Sequence, residues 1–507
     1  MGALDYDVAV IGAGFGGLGA ALSLAEHGAK VLLCEALNYP GGCASTFRRN
    51  GYRFESGATL FSGFAPGQLF HEWIHAHRIP VEIDFLDPLV ELRAPRLNLF
   101  ARADRDALES QFFDLPDAPV KRLRAFFQEQ QRVADALWSI MEAPELLPPF
   151  GPMELLRHAA RVPRYLPLVR AIGRPVSSIL ARHGLADFQP LRTYLDALCQ
   201  ITVQCGVAEA EAPFALATMD YYFRGTGHVR GGIGELAWGL VRAIESLGGD
   251  VRLANRVQHL HRGSDHWKVV SRKGQWRVRK VVANLLPQDV RRVVGLTEKN
   301  AFLDRLSAQV EDGWGAVMLY LVVRPPPGAG DEPRHLELVH DPSMPFIEGN
   351  HIFCSISGAD ESERAPAGLR TMTVSTHVPL AELRSLEPDG QAALVAEIQH
   401  RMRRTLHRMA PEWIEAVEHD MTASPRTFER FTGRHLGYVG GIPRRVGLGH
   451  YRDIIPPAAL PNLHLVGDTI FPGQSTLATA IGGVKLAERL APALGLRPSQ
   501  ARGRLAS

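Results

Sequence analysis

An α/β fold built around a buried parallel sheet is what this 507-residue sequence predicts, and three observations near Tyr6 predict it. Asp7-Val8-Ala9-Val10-Ile11 is a short apolar run, the form taken by a parallel strand covered on both faces. Leu18, Ala21, Leu22 and Ala25 then recur at i, i+3, i+4 and i+7, the period of a helix with one apolar face that runs to His27. Lys30-Val31-Leu32-Leu33-Cys34 is a second apolar run, ending on Glu35. Strand, helix and strand in this order make a βαβ unit.

The turn between the first strand and the helix reads Gly12-Ala13-Gly14-Phe15-Gly16-Gly17. Gly12 permits a tight turn, Gly14 lets backbone amides approach a diphosphate, and Gly17 lets the helix pack closely on the strand. The helix N-terminus adds unpaired N–H groups and a partial positive charge. Glu35 stands 23 residues after Gly12, where a carboxylate accepts hydrogen bonds from ribose hydroxyls. Gly12, Ala13, Gly14, Gly17 and Glu35 are thus candidate dinucleotide contacts. An acid at this position argues for FAD or NAD and against a 2′-phosphate.

The length implies two or three domains. A hydrophobic content of 46% and a charged content of 22% are those of a globular enzyme. A formal charge of +2 gives no reason to expect nucleic acid. The five cysteines are odd in number, scattered and without metal-ligand spacing, which predicts free thiols in a reducing cytoplasm and no metal. The first strand follows Met1 so closely that no signal peptide is expected, and no stretch has the ~18 apolar residues of a spanning helix.

After Glu35 come Pro40-Gly41-Gly42-Cys43-Ala44-Ser45-Thr46-Phe47 and then Tyr52-Arg53-Phe54-Glu55-Ser56-Gly57-Ala58. Paired glycines again suggest backbone running close to a ligand, and the alternating Tyr52/Phe54 run reads as a strand. Near the far end, Asn462-Leu463-His464-Leu465-Val466-Gly467-Asp468 is a strand ending in Gly-Asp, and a helix follows from Thr476 to Leu490.

Together these segments resemble the FAD-dependent carotenoid desaturase and isomerase family of the amine-oxidase-like flavoproteins. Gly42-Cys43-Ala44-Ser45-Thr46-Phe47 and Gly467-Asp468-Thr469-Ile470-Phe471-Pro472-Gly473-Gln474 are most similar to its 3′,4′-desaturase and isomerase branches. Phytoene desaturases usually carry an arginine after the glycine pair; here Cys43 stands there, so a positive charge facing the diphosphate is missing. The resemblance implies a Rossmann-type FAD-binding domain of residues 1–75, 221–296 and 455–507. Into it are inserted residues 76–220 and 297–454, a substrate domain with an antiparallel sheet and helices. It places Gly41, Gly42, Ser45, Gly57 and the backbone of Val257 at FAD. It also gives Asp468 the ribityl or diphosphate end, and the amides of Thr476, Leu477 and Ala478 the negative charge at flavin N1 and O2.

Between the two ends, residues 66–220 are mostly helical in pattern. Met153 to Leu185 interleaves Arg157, Arg161, Arg164, Arg170, Arg174 and Arg182 with apolar residues, and no acid occurs between Glu154 and Asp187. Such a segment suits a membrane interface or an arginine-rich solvated face; the resemblance favours peripheral membrane attachment. Pro163, Pro167 and Pro175 exclude one straight helix. His228, in a glycine-rich loop before the helix Glu235–Leu247, reads as solvated, with proton transfer as the alternative. Val251–Val257 reads as one strand, Trp267/Val269 and Trp276/Val278 as a hairpin, and Val281–Asn284 as a strand re-entering the sheet. Trp314–Val323, Ile352–Ser357 and Thr371–His377 read as strands of a cavity wall, Asp389–Met409 as a helix, and Thr422–Ile442 as the segment over the flavin.

The expected function is that of an oxidoreductase of carotenoid biosynthesis, a desaturase taking hydride and proton from a polyene. The alternative is a cis–trans isomerase using reduced FAD. An amine oxidase would need an aromatic cage, which the sequence does not display. A prenyl-lipid-binding protein of the Rab dissociation-inhibitor type would not need both Glu35 and Asp468. The partners expected are the polyene, a membrane surface and an electron acceptor. No catalytic residue is assigned.

Overall fold

The computed structural model describes residues 4–57, 59–141, 143, 146–147 and 150–496. Ala58, which closes the expected Tyr52–Ala58 strand, and residues 1–3 and 497–507 of the expected cofactor domain lie outside the described residues. Strand β1 (Tyr6–Ile11), helix α1 (Phe15–Glu26) and strand β2 (Val31–Cys34) follow one another as the periodicity requires. β1 pairs in parallel with β2 on one side and with Gly274–Ala283 on the other. Val8 to Ile11 and all of β2 are buried, so both faces of these strands are covered.

Gly274–Ala283 joins what the sequence presents as two pieces. Its first half takes Trp267–Ser271 as an antiparallel hairpin partner; its second half takes Leu463–Leu465 in parallel. Val251–Val257, expected as one strand, is two: Asp250–Arg252 lies beside β2, and Val257–Arg262 pairs with the hairpin. The break is at Ala254, with φ of +48°, and Asn255 explains it. The Asn255 backbone N–H donates to the Glu35 carbonyl (2.7 Å), its amide to Cys34 Sγ (3.6 Å), and its Oδ1 accepts from the Ser271 hydroxyl (2.7 Å). A buried amide satisfied in this way pins the turn against the end of β2.

A second seven-stranded sheet runs in the order 417–423, 314–323, 370–379, 351–356, 334–339, 90–94, 97–101. It is antiparallel except where Val90–Ala94 meets Arg334–Val339. Trp314–Val323 is buried at every position because it has work on both faces. Val317, Leu319, Leu321 and Val323 pack with Ile398, Met402 and Leu406 of the helix Pro388–Met409; Ala316, Met318, Tyr320 and Val322 pack with Phe54 and Phe428. The period of two thus sorts one strand between a helix and the cavity side.

In the segment expected to be mostly helical, Val90–Ala94 and Leu97–Ala101 form a hairpin, and helices dominate thereafter. Helix α2 (Pro152–Ala171) contains both Pro163 and Pro167, and the break comes only at Ile172–Pro175, before Val176–Arg182. The two prolines stand four residues apart. Pro167 therefore lacks the N–H that would seek the Pro163 carbonyl, and the helix loses two backbone bonds without ending.

Helix α3 (Thr476–Leu490) packs against α1 through glycine. A Cβ on Gly19 would stand 2.5 Å from the Ala480 carbonyl oxygen, and one on Gly483 would stand 2.2 Å from that of Gly16. Side chains at these points would force the helices apart. Two segments far apart in sequence are thereby pressed into one layer over the parallel sheet.

Candidate functional site

The glycine turn is held by β2. Gly12, at φ of +98°, donates its N–H to the Cys34 carbonyl at 2.7 Å. A Cβ on Gly17 would meet the Gly12 carbonyl oxygen at 2.0 Å, so helix and turn fit only without one. Glu35 fastens the tip of the turn: Oε2 accepts from the Ala13 N–H (2.7 Å) and Oε1 from the Leu37 N–H (2.8 Å). Burial pushes its carboxyl up, opposed by those two N–H groups and by Arg256. The Gly41 N–H donates to the Ala13 carbonyl at 2.8 Å, lacing the second glycine segment to the first.

These residues form one end of a cavity of about 960 Å³, at the top of the range for ligand sites of ~300–1,000 Å³. Gly12, Gly14, Glu35, Gly41, Gly42, Gly57, Val257, Gly467, Asp468, Thr476, Leu477 and Ala478 all lie on its wall. Ala13, Gly17 and Ser45 stand behind it: Ala13 holds Glu35, Gly17 spaces α1, and the Ser45 hydroxyl donates to Ser56 (3.1 Å). The pairing of Val257 is irregular, with a shift in register between it and His259.

The start of α3 offers fewer free amides than expected. Ser475, at φ of +83°, caps the helix, and its Oγ accepts the Ala478 N–H at 3.1 Å. Ala478 is therefore committed to its own helix, which leaves the N–H groups of Thr476 and Leu477 free toward the cavity among the described residues.

Asp468 accepts from Arg434 Nη2 at 2.7 Å, and Arg434 Nε donates to the Tyr438 carbonyl at 2.8 Å. Burial works against the Arg434 charge, and the Asp468 carboxylate beside it outweighs that and holds it protonated. Arg434 thus stands on the wall by Cys43 and supplies the cation that the residue after Gly42 does not. Sequence reasoning missed it. Gly433 ends the helix Pro425–Thr432 at φ of +73°, an ordinary helix stop, and that Arg434 then faces the cavity is set by the fold and not by its neighbours in sequence.

Away from the glycines the cavity turns apolar, with Phe61, Leu137, Ile140, Phe214, Met318 and Phe353 on its wall. His377 is there too, and burial pushes its imidazole down to about 4, so it is neutral near pH 7. Burial likewise pushes the Tyr221 hydroxyl up to about 12.

His228 is not solvated. It lies 2% exposed in the strand His228–Val229, with Nε2 at 3.2 Å from both carboxylate oxygens of Glu361. Glu361 also accepts from the Gly231 and Gly358 N–H groups, at 2.8 and 2.6 Å. Burial raises its carboxyl, but His228 and Arg364 hold it well below the usual range. This cluster is not on the cavity wall; it joins the loop before Gly234–Ser246 to the loop after the strand His351–Ile356. All five cysteines are free; Cys34 and Cys43 lie on the wall, and all but Cys43 are buried. Among the described residues no helix is long and apolar enough to cross a membrane, and no three His, Cys, Asp or Glu side chains cluster as metal ligands would.

Residues 10–74 match the family described as NAD(P)-binding Rossmann-like domain. Over 97% of its length the chain is 26% identical to a chloroplastic prolycopene isomerase of Arabidopsis thaliana, covering 83% of that protein. Over the same share it is 23% identical to a neurosporene-forming phytoene desaturase of Cereibacter sphaeroides, covering 95% of it. Among solved structures, an oxidoreductase of Methanosarcina mazei superposes with a TM-score of 0.65 at 17% identity, covering 95% of this chain and all of that one. The prolycopene isomerases and the phytoene desaturase are homologues of this chain over nearly its full length.

Proposed function

We propose that the chain is an FAD-dependent oxidoreductase acting on a carotenoid or related polyene, in the first instance a desaturase. The observation that carries this reading is the continuity of one cavity from a glycine-and-carboxylate cradle into an apolar compartment. The cradle fits FAD. Glu35 serves the adenosine ribose, Val257 the adenine, and Gly12, Gly14, Gly41, Gly42 and Gly57 give room for close approach. Arg434 faces the diphosphate, Asp468 the ribityl chain, and the free amides of Thr476 and Leu477 the flavin carbonyl edge. When bound, FAD supplies the two-electron chemistry, and the protein supplies position and a dry enclosure. The apolar wall orients an elongated hydrocarbon and excludes water. Neutral His377 and Tyr221 add polar atoms there without adding charge.

The second reading, a cis–trans isomerase working with reduced FAD, is favoured by the full-length similarity to prolycopene isomerase. One experiment separates the two. Cis and trans polyenes are incubated anaerobically with the holoprotein, its flavin oxidised or reduced, and the products are resolved by chromatography and mass. A product two hydrogens lighter, formed with oxidised flavin, establishes the desaturase. Unchanged mass with altered geometry, formed with reduced flavin, establishes the isomerase. A colourless preparation that FAD cannot reconstitute overturns both.

The proposed division gives the cofactor residues 1–75, 221–296 and 455–507, and the substrate the remainder. We further place the substrate part against a membrane surface. α2 exposes Met153, Leu155, Leu156, Val162, Leu166 and Val169, each more than half exposed, between its arginines. His158 and Leu168 of the same helix reach the cavity wall, so a polyene leaving the bilayer would enter beside them. Each arginine near an anionic surface adds roughly 1 kcal/mol. Neutralising Arg161, Arg164 and Arg170 should lower binding to anionic liposomes in a flotation assay; unchanged binding would return α2 to a solvated face.

A further inference from the structure

Among the described residues, a cation stands in the apolar compartment without an anion. Arg444 lies on the cavity wall, its guanidinium 5.1 Å from the centre of the Phe214 ring. Its side chain makes one hydrogen bond among the described residues, from Nη2 to the Pro472 carbonyl at 2.6 Å. Among the described residues it makes no ion pair. The carboxylate best placed to make one is turned elsewhere. Glu211 donates its backbone N–H to the Arg444 carbonyl (2.9 Å), yet its carboxylate accepts from Gly173 N–H (2.6 Å), Gly447 N–H (3.3 Å) and Tyr451 Oη–H (2.9 Å). Burial pushes the guanidinium below its ordinary range, as expected of a charge that gave up water without gaining an anion. The segment is also shaped to admit this side chain: a Cβ on Gly473 would stand 2.2 Å from Arg444 Nη2.

A guanidinium sealed against hydrocarbon alone would be strongly unfavourable, because five N–H donors would face groups that accept nothing. Phe214 lies against it, and among the described residues only Nη2 donates a hydrogen bond, which leaves the other donors for a ligand. We propose that Arg444 binds a carboxylate at one end of the ligand, so that this site takes a polyene acid rather than a plain hydrocarbon. The inference rests on the polyene reading and narrows it to a substrate class. Two parallel N–H donors match a carboxylate, and the aromatic wall receives the apolar chain behind it.

The test uses the FAD-loaded protein and three probes: a polyene monocarboxylic acid, its methyl ester and the hydrocarbon polyene of similar length. Binding is read by quenching of tryptophan fluorescence, since Trp138 lies on the wall. The wild-type protein should bind the acid at least about tenfold more tightly than the ester, the scale of a charge-assisted hydrogen-bond pair. Arg444→Met should abolish that preference, and Arg444→Lys should keep part of it. Equal affinity of wild type for acid and ester overturns the proposal, and needs no variant to read. Loss of FAD from Arg444→Met also overturns it, by assigning the residue to the cofactor. If no polyene of any kind binds, the polyene function itself fails; if all bind alike, only the carboxylate assignment fails.

Discussion

The two ends of the cavity are built by opposite means. The nucleotide end is made of backbone: glycines, helix amides, and a carboxylate and an arginine that are each already hydrogen-bonded by the protein. The other end is made of side chains drawn from at least six separate segments, and among the described residues its Arg444 makes no ion pair. A site made of backbone has almost no freedom to change, because no substitution alters an amide without displacing the chain. A site made of apolar side chains tolerates exchange, since volume and shape are shared among many neighbours. The first end therefore keeps a cofactor constant, and the second leaves room for the substrate to vary.

The sharpest way to break this contrast is at Gly17. Gly17→Ala puts a methyl group 2.0 Å from the Gly12 carbonyl oxygen. It should cost upwards of about 3 kcal/mol in urea denaturation and yield protein without flavin absorbance. Ile140→Val, on the apolar wall, should cost about 1 kcal/mol and keep the colour. Equal losses would dissolve the distinction.

The next effect is a pH dependence. His377 is held neutral, its imidazole pushed by burial down to about 4 from an ordinary value of 6.5. Its contribution to stability is therefore fully present above pH 6.5 and is lost as pH falls from 6.5 toward 4. Across that window the loss amounts to at most about 3 kcal/mol. Melting temperatures of wild type and His377→Asn should converge as the pH drops through it; parallel curves would place His377 in contact with water.

Arg434→Gln should cost about 2 kcal/mol, by leaving Asp468 without its partner, and should speed release of FAD on gel filtration. Retention equal to wild type would show that the cradle needs no cation beside Cys43. Glu35→Ala should weaken FAD binding about tenfold in equilibrium dialysis, since two backbone donors lose their acceptor along with the ribose. Unchanged affinity would confine Glu35 to shaping the turn. The smallest stability effect belongs to the surface: Leu156→Ser with Leu166→Ser should change stability by no more than about 0.5 kcal/mol yet reduce liposome flotation.

The same contrast decides what the sequence discloses. β1, the glycine turn, α1 and β2 are legible because spacing within about thirty residues determines them. Trp314–Val323 is legible as a strand, but not which of its faces meets the cavity, because both faces are apolar. Val90–Ala94 and Leu97–Ala101 are lost in a helical stretch, since Val90–Ala94 joins the sheet by pairing with Arg334–Val339 far along the chain, and Leu97–Ala101 is added to it as the hairpin partner. Arg434 and Arg444 are invisible for a related reason. Nothing local separates an arginine that faces a cavity from the many that face water. His228 misleads in the other direction: a glycine-rich loop reads as exposed, and Glu361 and His335, both far along the chain, pack against it where it is buried. Local rules reveal the backbone end of the site, and long-range packing hides the rest.

The glycine contact between α1 and α3 has a consequence in time. The ribosome makes α1 early, and α3 follows about 450 residues later. At roughly 5–20 residues per second, the first half of the cradle waits tens of seconds for the second. Until Gly483 reaches Gly16, Leu18, Leu22 and their neighbours lack the helix that covers them. The nascent chain thus carries an uncovered apolar face through most of its synthesis, and the cradle closes only after translation has passed α3. Chains truncated before α3 should then fail to retain FAD even when every residue of the glycine turn is present.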